Sequence, residues 1–126
     1  MVNRRGMNRV LESAPWAAGK ARGAVVCQLG KWKYRPAQDT VTVVEAVTTL
    51  LVEAAVADGG TTVSVHLSDQ DGQVCILALS HHTDLTTRAD DVGGEVLRQI
   101  TAHRAVTGCG TDAGPDGRRV WAVIEL

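Results

Sequence analysis

Two glutamates and two threonines interrupt the longest apolar stretch of the chain, VVEAVTTLLVEAAVADGG at residues 43–60. Glu45 and Thr49 are four residues apart, so on a helix their side chains share one face. A carboxylate and a hydroxyl on one face could activate water and assist a metal ion. The same residues also suit the solvated stripe of an amphipathic helix. The residues alone favour the solvated stripe and leave a reaction centre open.

Other residue types suited to chemistry do not form a recognised motif. His81 and His82 could bind a metal, but no third ligand follows at helical or hairpin spacing. Gly93 and Gly94 could hold phosphate or could simply begin a helix, and a glycine pair is a weak signal. Cys109 has no neighbouring base that would make it a catalytic thiol. We therefore expect no metal site.

The chain has the length of one domain, and its charges are unevenly distributed. Residues 1–38 hold eight Lys or Arg and one acid, whereas residues 39–126 hold five Arg and thirteen acids. The basic first third could contact nucleic acid or an acidic protein, or could be a solvated surface. The arginines lack interleaved aromatic residues, which disfavours nucleic-acid binding.

Three widely spaced cysteines, Cys27, Cys75 and Cys109, predict reduced thiols rather than a disulfide framework. The first residues lack an apolar core of signal-peptide length, and we find no run of membrane-spanning length. We therefore expect a cytoplasmic protein without membrane association.

Hydrophobic periodicity predicts three helices and three strands. The predicted helices span residues 15–35, 40–57 and 93–106. The predicted strands span residues 61–68, 73–80 and 118–126. The apolar strand at 73–80 is expected to be covered on both faces. DQDG predicts a turn between the first two strands, and loops are expected at 81–92 and 107–117.

These elements predict a two-layer α/β sandwich, with a mixed, mainly antiparallel sheet and helices on one face. Residues 1–13 combine Arg4, Arg5 and Arg9 with small and polar residues. They are therefore expected to be a disordered basic arm before a domain at 14–126.

The order of elements resembles a known family. The segments that carry the resemblance are LGKWKYRP, the helix containing EAVTT, two strands around DG, GGEVLRQITAHRAVTG and the closing DGRRVWAVIEL. They are similar to the small histidine-kinase-like (GHKL, or Bergerat-fold) ATPases of actinobacteria, which are relatives of the anti-sigma-factor serine kinases. The resemblance covers about residues 15–126 and implies the ATP-binding fold of that family.

The resemblance implies a nucleotide site whose first two parts are altered in this chain. EAVTT stands where the family has E-L-V-T-N, which places Glu45 at the residue that polarises water. Thr49 then replaces the asparagine that binds magnesium, and a hydroxyl is a weaker ligand. After the central strand, Ser80, His81 or His82 stands where the family has an adenine-reading aspartate.

The third part is a glycine-rich turn that holds phosphates before the third helix. Gly93 and Gly94 correspond to it, but Glu95 replaces the family's second glycine, and its carboxylate would repel phosphate. All three parts of the implied site therefore depart from the family pattern.

The resemblance, with these departures, predicts a regulatory protein-binding module that has lost efficient ATP binding and needs no cofactor. The implied partner is a sigma factor or an anti-sigma antagonist-like protein, docking near residues 15–35, and a homodimer is also open. The alternative is an active ATP-binding protein serine kinase that requires ATP and magnesium. In that case Glu45 would be the base and Thr49 would assist the magnesium ion.

Overall fold

The computed structural model describes residues 6–81, 89–114 and 117–126. They form a two-layer α/β structure, as predicted. In chain order the elements are β1 (Gly6–Glu12), α1 (Ala17–Lys31), α2 (Gln38–Ala57), β2 (Thr62–Asp69), β3 (Gln73–Leu79), α3 (Ala89–Thr101), β4 (Val106–Gly114) and β5 (Gly117–Glu125). The sheet order is β1-β2-β3-β5-β4. The prediction of a mixed sheet is wrong for these strands, because every neighbouring pair is antiparallel.

One face of the sheet is buried beneath the helices. Alternate residues of the three central strands are almost completely buried: Val63, Val65, Leu67, Val74, Ile76, Ala78, Val120, Ala122 and Ile124. They form one core with buried residues of all three helices. We call the opposite face the helix-free face; it carries Val10, Ser64, His66, Cys75, Leu77, Leu79, Trp121 and Val123. The β3 residues on this face are only half-buried, so the expectation that β3 is covered on both faces is wrong.

α2 is the central helix of the core. Contrary to the expectation from sequence, it is long and apolar enough to pass as a membrane-crossing helix. Its Val44, Val47, Leu51 and Val52 are, however, completely buried in the core formed with the other helices and the sheet. Burial within the domain therefore accounts for these apolar residues of α2.

α1 ends in a Schellman motif, which fixes its position against the sheet. Lys33 adopts a left-handed conformation with φ 69°. The N–H groups of Lys33 and Tyr34 donate to the carbonyls of Gly30 and Leu29, each at 3.0 Å. The Tyr34 hydroxyl then donates to Asp69 at 2.6 Å, which ties the α1–α2 connection to the end of β2.

The turn predicted at DQDG is confirmed between β2 and β3. Asp71 and Gly72 have φ values of 55° and 93°. Two consecutive positive angles define the type I′ turn that suits a twisted hairpin. The Gln70 N–H closes the turn by donating to the Gln73 carbonyl at 2.9 Å.

Residues 6–12 form the edge strand β1, so the disordered arm expected over residues 1–13 is wrong for this segment. β1 pairs with β2 along its whole length. Met7 and Leu11 pack on the core, whereas Val10 is 61% exposed. With so few apolar anchors, the strand depends on backbone pairing with β2, which a periodicity pattern does not reveal.

β4 forms the opposite edge of the sheet, where the sequence predicts a loop over residues 107–117. Gly110 lies opposite Trp121 of β5. A Cβ atom at Gly110 would lie only 2.4 Å from Cζ2 of the indole. The absence of a side chain lets the ring lie against the β4 backbone. A residue typical of turns therefore serves here as a packing surface.

Candidate functional site

The hydroxyl of Thr49, the residue that the resemblance predicts as the magnesium ligand, is engaged within the protein. The hydroxyl donates to the Glu45 carbonyl at 2.9 Å and accepts a hydrogen bond from Nη1 of Arg22 at 2.8 Å. Because Arg22 belongs to α1, the Thr49 side chain faces α1. Glu45 lies one turn earlier on the same side of α2, where it is half-buried.

These contacts do not fit a magnesium ion at Thr49. The guanidinium of Arg22 is permanently charged, and its positive charge would repel a cation bound at the same hydroxyl. One lone pair of the hydroxyl oxygen, the atom that a metal ion would contact, already accepts the Arg22 N–H. In this structure Thr49 forms a contact between α1 and α2.

Ser80, one of the three residues that the resemblance predicts at the adenine contact, is also engaged internally. It is 1% exposed, and its hydroxyl accepts the N–H of Arg118 at 3.2 Å. Its own N–H donates to the Arg118 carbonyl at 3.0 Å. These bonds continue the pairing of β3 with β5 by one residue. Ser80 therefore forms, with Arg118, the last hydrogen-bonded pair at this end of β3 and β5.

A buried ion pair beside Ser80 has no counterpart in the sequence-based site. The side chains of Arg118 and Asp58 are 2% and 7% exposed. Arg118 donates from Nε to Oδ2 of Asp58 at 3.1 Å and from Nη2 to Oδ1 at 2.6 Å. Asp58 caps the C-terminus of α2, where the helix dipole disfavours a negative charge. The guanidinium offsets that charge and fastens α2 to β5.

The structure does not bring Thr49 and Ser80 into one polar cluster. Ser80 is connected to the C-terminal end of α2 through Arg118 and Asp58. Asp58 lies nine residues beyond Thr49, which corresponds to roughly 13 Å along the helix axis. The two residues therefore support different parts of the fold.

His81 lies on the helix-free face, on the opposite side of the sheet from the Ser80 hydroxyl. Its Nε2 is 2.5 Å from Oγ of Ser64. His66 lies nearby, and its pKa is lowered mainly by burial and further by the proximity of His81. Within residues 6–81, 89–114 and 117–126, no three His, Cys, Asp or Glu side chains form a metal-binding group. His82 lies outside the described residues.

We expect His66→Gln to make the protein less sensitive to acid. The folded-state pKa of His66 lies below its ordinary value, so the unfolded chain binds the proton more tightly. The resulting stabilisation is complete above the unfolded-state pKa, about 6.5, and is lost as the pH falls through the folded-state value. Urea unfolding at pH 7.5 and pH 5.5 measures this loss. It should be smaller in His66→Gln than in the control His103→Gln; equal losses would contradict the expectation.

Gly93 and Gly94 lie inside α3 and do not form a turn before it. The helix begins at Ala89, so these glycines follow its first four residues. Only the first four N–H groups of a helix lack an internal partner, and the glycine N–H groups are therefore not free to hold phosphate. The predicted start at residue 93 is wrong, and the rest of the loop predicted at 81–92 falls largely on residues 82–88, outside the described part.

The surface around α1 is basic. Lys20 and Lys31 of α1 and Lys33 just beyond it are exposed. Arg9 of β1 and Lys20 line the same groove between strand and helix. In the described part of the chain none of these four residues forms an ion pair. The described residues therefore provide no ion-pair partner for the positive charges of this surface.

A scan against protein-family models finds no match to the chain, and a search of the curated proteins finds no similar sequence.

Proposed function

We propose that this protein is a regulatory protein-binding module, related in architecture to the anti-sigma-factor kinases that it resembles, that does not use ATP efficiently. The hydrogen bond between Arg22 and Thr49 carries the proposal. It puts a fixed positive charge against Thr49, the residue that the resemblance predicts as the magnesium ligand. The internal bonds of Ser80 support the same conclusion for the adenine contact.

The basic surface around α1 supports an acidic protein as the partner. Lys20, Lys31 and Lys33 are exposed and form no ion pair with the described residues. Complementary charges on two proteins chiefly raise the rate of association and exclude like-charged competitors. The surface thus favours a partner such as a sigma factor or its antagonist with an acidic docking face. Arg22 also belongs to α1, but its guanidinium is turned toward α2, where it donates to Thr49.

Charge reversal on α1 tests the partner. We expect the double variant Lys20→Glu, Lys31→Glu to recover specific partners from the source cell at least ~10-fold less efficiently, since like charges would then face each other. The control is Arg98→Glu, Arg104→Glu, which has the same net charge and changes exposed residues in and after α3. Equal recovery by the two double variants and the unaltered protein would reject α1 as the docking surface.

A further inference from the structure

One edge of the β1 backbone has no neighbouring strand in the described residues. The hydrogen-bond pattern identifies which residues point to that edge. The Ser13 N–H donates to the Thr61 carbonyl at 3.0 Å, so these two residues form a hydrogen-bonded pair. In antiparallel pairing such pairs alternate along the strands. The N–H and C=O groups of Asn8, Val10 and Glu12 therefore point away from β2.

The free edge of β1 borders a groove of about 590 Å³ whose other wall is α1. We call it the edge groove; it is lined by Arg9, Val10, Leu11, Gly19, Lys20, Gly23, Ala24 and Cys27. The α1 residues belong to two adjacent rows with a spacing of four, which places them on one side of the helix. The groove thus combines unpaired backbone groups with a helix wall of small side chains.

Two glycines of α1 that line the edge groove are not required by packing against the described residues. A Cβ at Gly23 would meet no atom within 4 Å, and one at Gly19 would meet only the Arg22 side chain at 3.7 Å. Glycine in a helix interior costs about 1 kcal/mol relative to alanine. Both glycines line the edge groove, so the space that they leave adjoins it. It is therefore available to a chain lying beside β1.

We propose that the edge groove binds an extended acidic segment of a protein partner, which adds to the sheet as a sixth strand beside β1. Its backbone would bond to Asn8, Val10 and Glu12. Its alternate side chains would point into the groove, where carboxylates would meet Arg9 and Lys20 and small apolar groups would fit against Gly23. The inference deepens the proposed function, on which it rests, by specifying how the partner binds.

The charges favour an acidic partner over a second copy of this chain. Pairing β1 with the β1 of another copy would bring two sets of Arg9 and Lys20 together, without an acid in either groove. Juxtaposed like charges oppose such association. Glu12 does not offset them, because it alternates with Leu11 and projects to the helix-free side.

The variant Val10→Pro tests how much the backbone N–H at the free edge of β1 contributes to peptide binding. Proline removes the Val10 N–H, which points to the free edge, and keeps the bonds to β2. Val10→Thr is the matched control, because it changes the same exposed side chain and retains the N–H. The probe is a fluorescent nine-residue peptide with threonine at the odd positions and glutamate and valine in turn at the even positions, so that one face carries both carboxylates and apolar groups. Its comparison peptide has lysine for glutamate. Fluorescence anisotropy measures the affinity, and circular dichroism verifies that both variants are folded.

The proposal predicts that the acidic peptide binds at least ~10-fold more tightly than the basic one. Relative to the unaltered protein, the affinity for the acidic peptide should fall at least ~10-fold in Val10→Pro and less than ~2-fold in Val10→Thr. Hydrogen exchange should slow on binding at the amides of Asn8, Val10 and Glu12. Absence of binding at ~1 mM peptide, equal binding by the two variants, or concentration-dependent dimerisation that Val10→Pro abolishes would each overturn it. If Val10→Pro has no effect while the α1 charge reversal still abolishes partner recovery, strand addition fails and the proposed function stands.

Discussion

Asp58→Ala is expected to destabilise the protein by about 3–5 kcal/mol, because it removes the carboxylate that is paired with the buried guanidinium of Arg118. Arg118 is 2% exposed, and its side chain cannot reach water without opening the junction between α2 and β5. Removing a carboxylate from a helix C-terminus also relieves its repulsion by the helix dipole. This relief restores only about 0.3–1 kcal/mol of the lost stability. Urea unfolding at pH 7 measures the change.

Asp112→Ala is the matched control for the buried pair. Asp112 and Arg119 also form a two-point ion pair, with bonds of 2.7 and 2.9 Å, but their side chains are 44% and 49% exposed. Water and salt screen such a pair, so its loss should cost no more than about 1 kcal/mol. If the Asp58 and Asp112 variants lose the same stability, the buried pair does not hold α2 to the sheet as described.

Gly110→Ala is expected to cost about 1–3 kcal/mol and to move the indole of Trp121. The new methyl group would lie 2.4 Å from Cζ2 and 2.9 Å from Cη2, well inside contact distance. The ring must therefore tilt away from the β4 backbone and become more exposed on the helix-free face. Unfolding midpoints measure the cost, and the tryptophan emission spectrum reports the displacement. The Trp121→Phe protein identifies which part of that spectrum belongs to Trp121.

Gly108→Ala separates this contact from a general effect of removing glycine from β4. Gly108 lies two residues earlier in the same strand, and a Cβ there would meet no atom within 4 Å. Alanine should be neutral or stabilising by about 0.4–1 kcal/mol, since it restricts the unfolded chain. An equal loss of stability in Gly108→Ala and Gly110→Ala would mean that the indole does not rest on Gly110.

The parts of the fold with a local periodic signal could be predicted from sequence. The α2 pattern, the alternation in β2 and the DQDG turn each depend on neighbours within a few residues, and the structure confirms them. The edge strands β1 and β4 were missed for different physical reasons. β1 has few apolar anchors, and β4 contains glycines whose role depends on an indole in another strand.

The candidate site was harder to predict, because its contacts join distant residues. Glu45 and Thr49 do share a face of α2, but the spacing could not reveal that Arg22 of α1 would bond to the threonine. Likewise, Asp58 and Arg118 are sixty residues apart and carry no local motif. Gly93 and Gly94 are common helix-start residues, and the four preceding helical residues could not be recognised from their period.

Calorimetric titration of ATP with magnesium tests most directly the claim that this domain does not use nucleotide efficiently. Loss of two hydrogen bonds to charged groups, at about 2 kcal/mol each, weakens binding ~10³-fold, and we expect a dissociation constant of about 1 mM or higher. Adding 1 mM ATP and magnesium should then leave the unfolding free energy almost unchanged. A dissociation constant of about 10 µM would instead raise it by about 2.7 kcal/mol. Micromolar binding by calorimetry with that stabilisation would contradict the account and favour the active kinase.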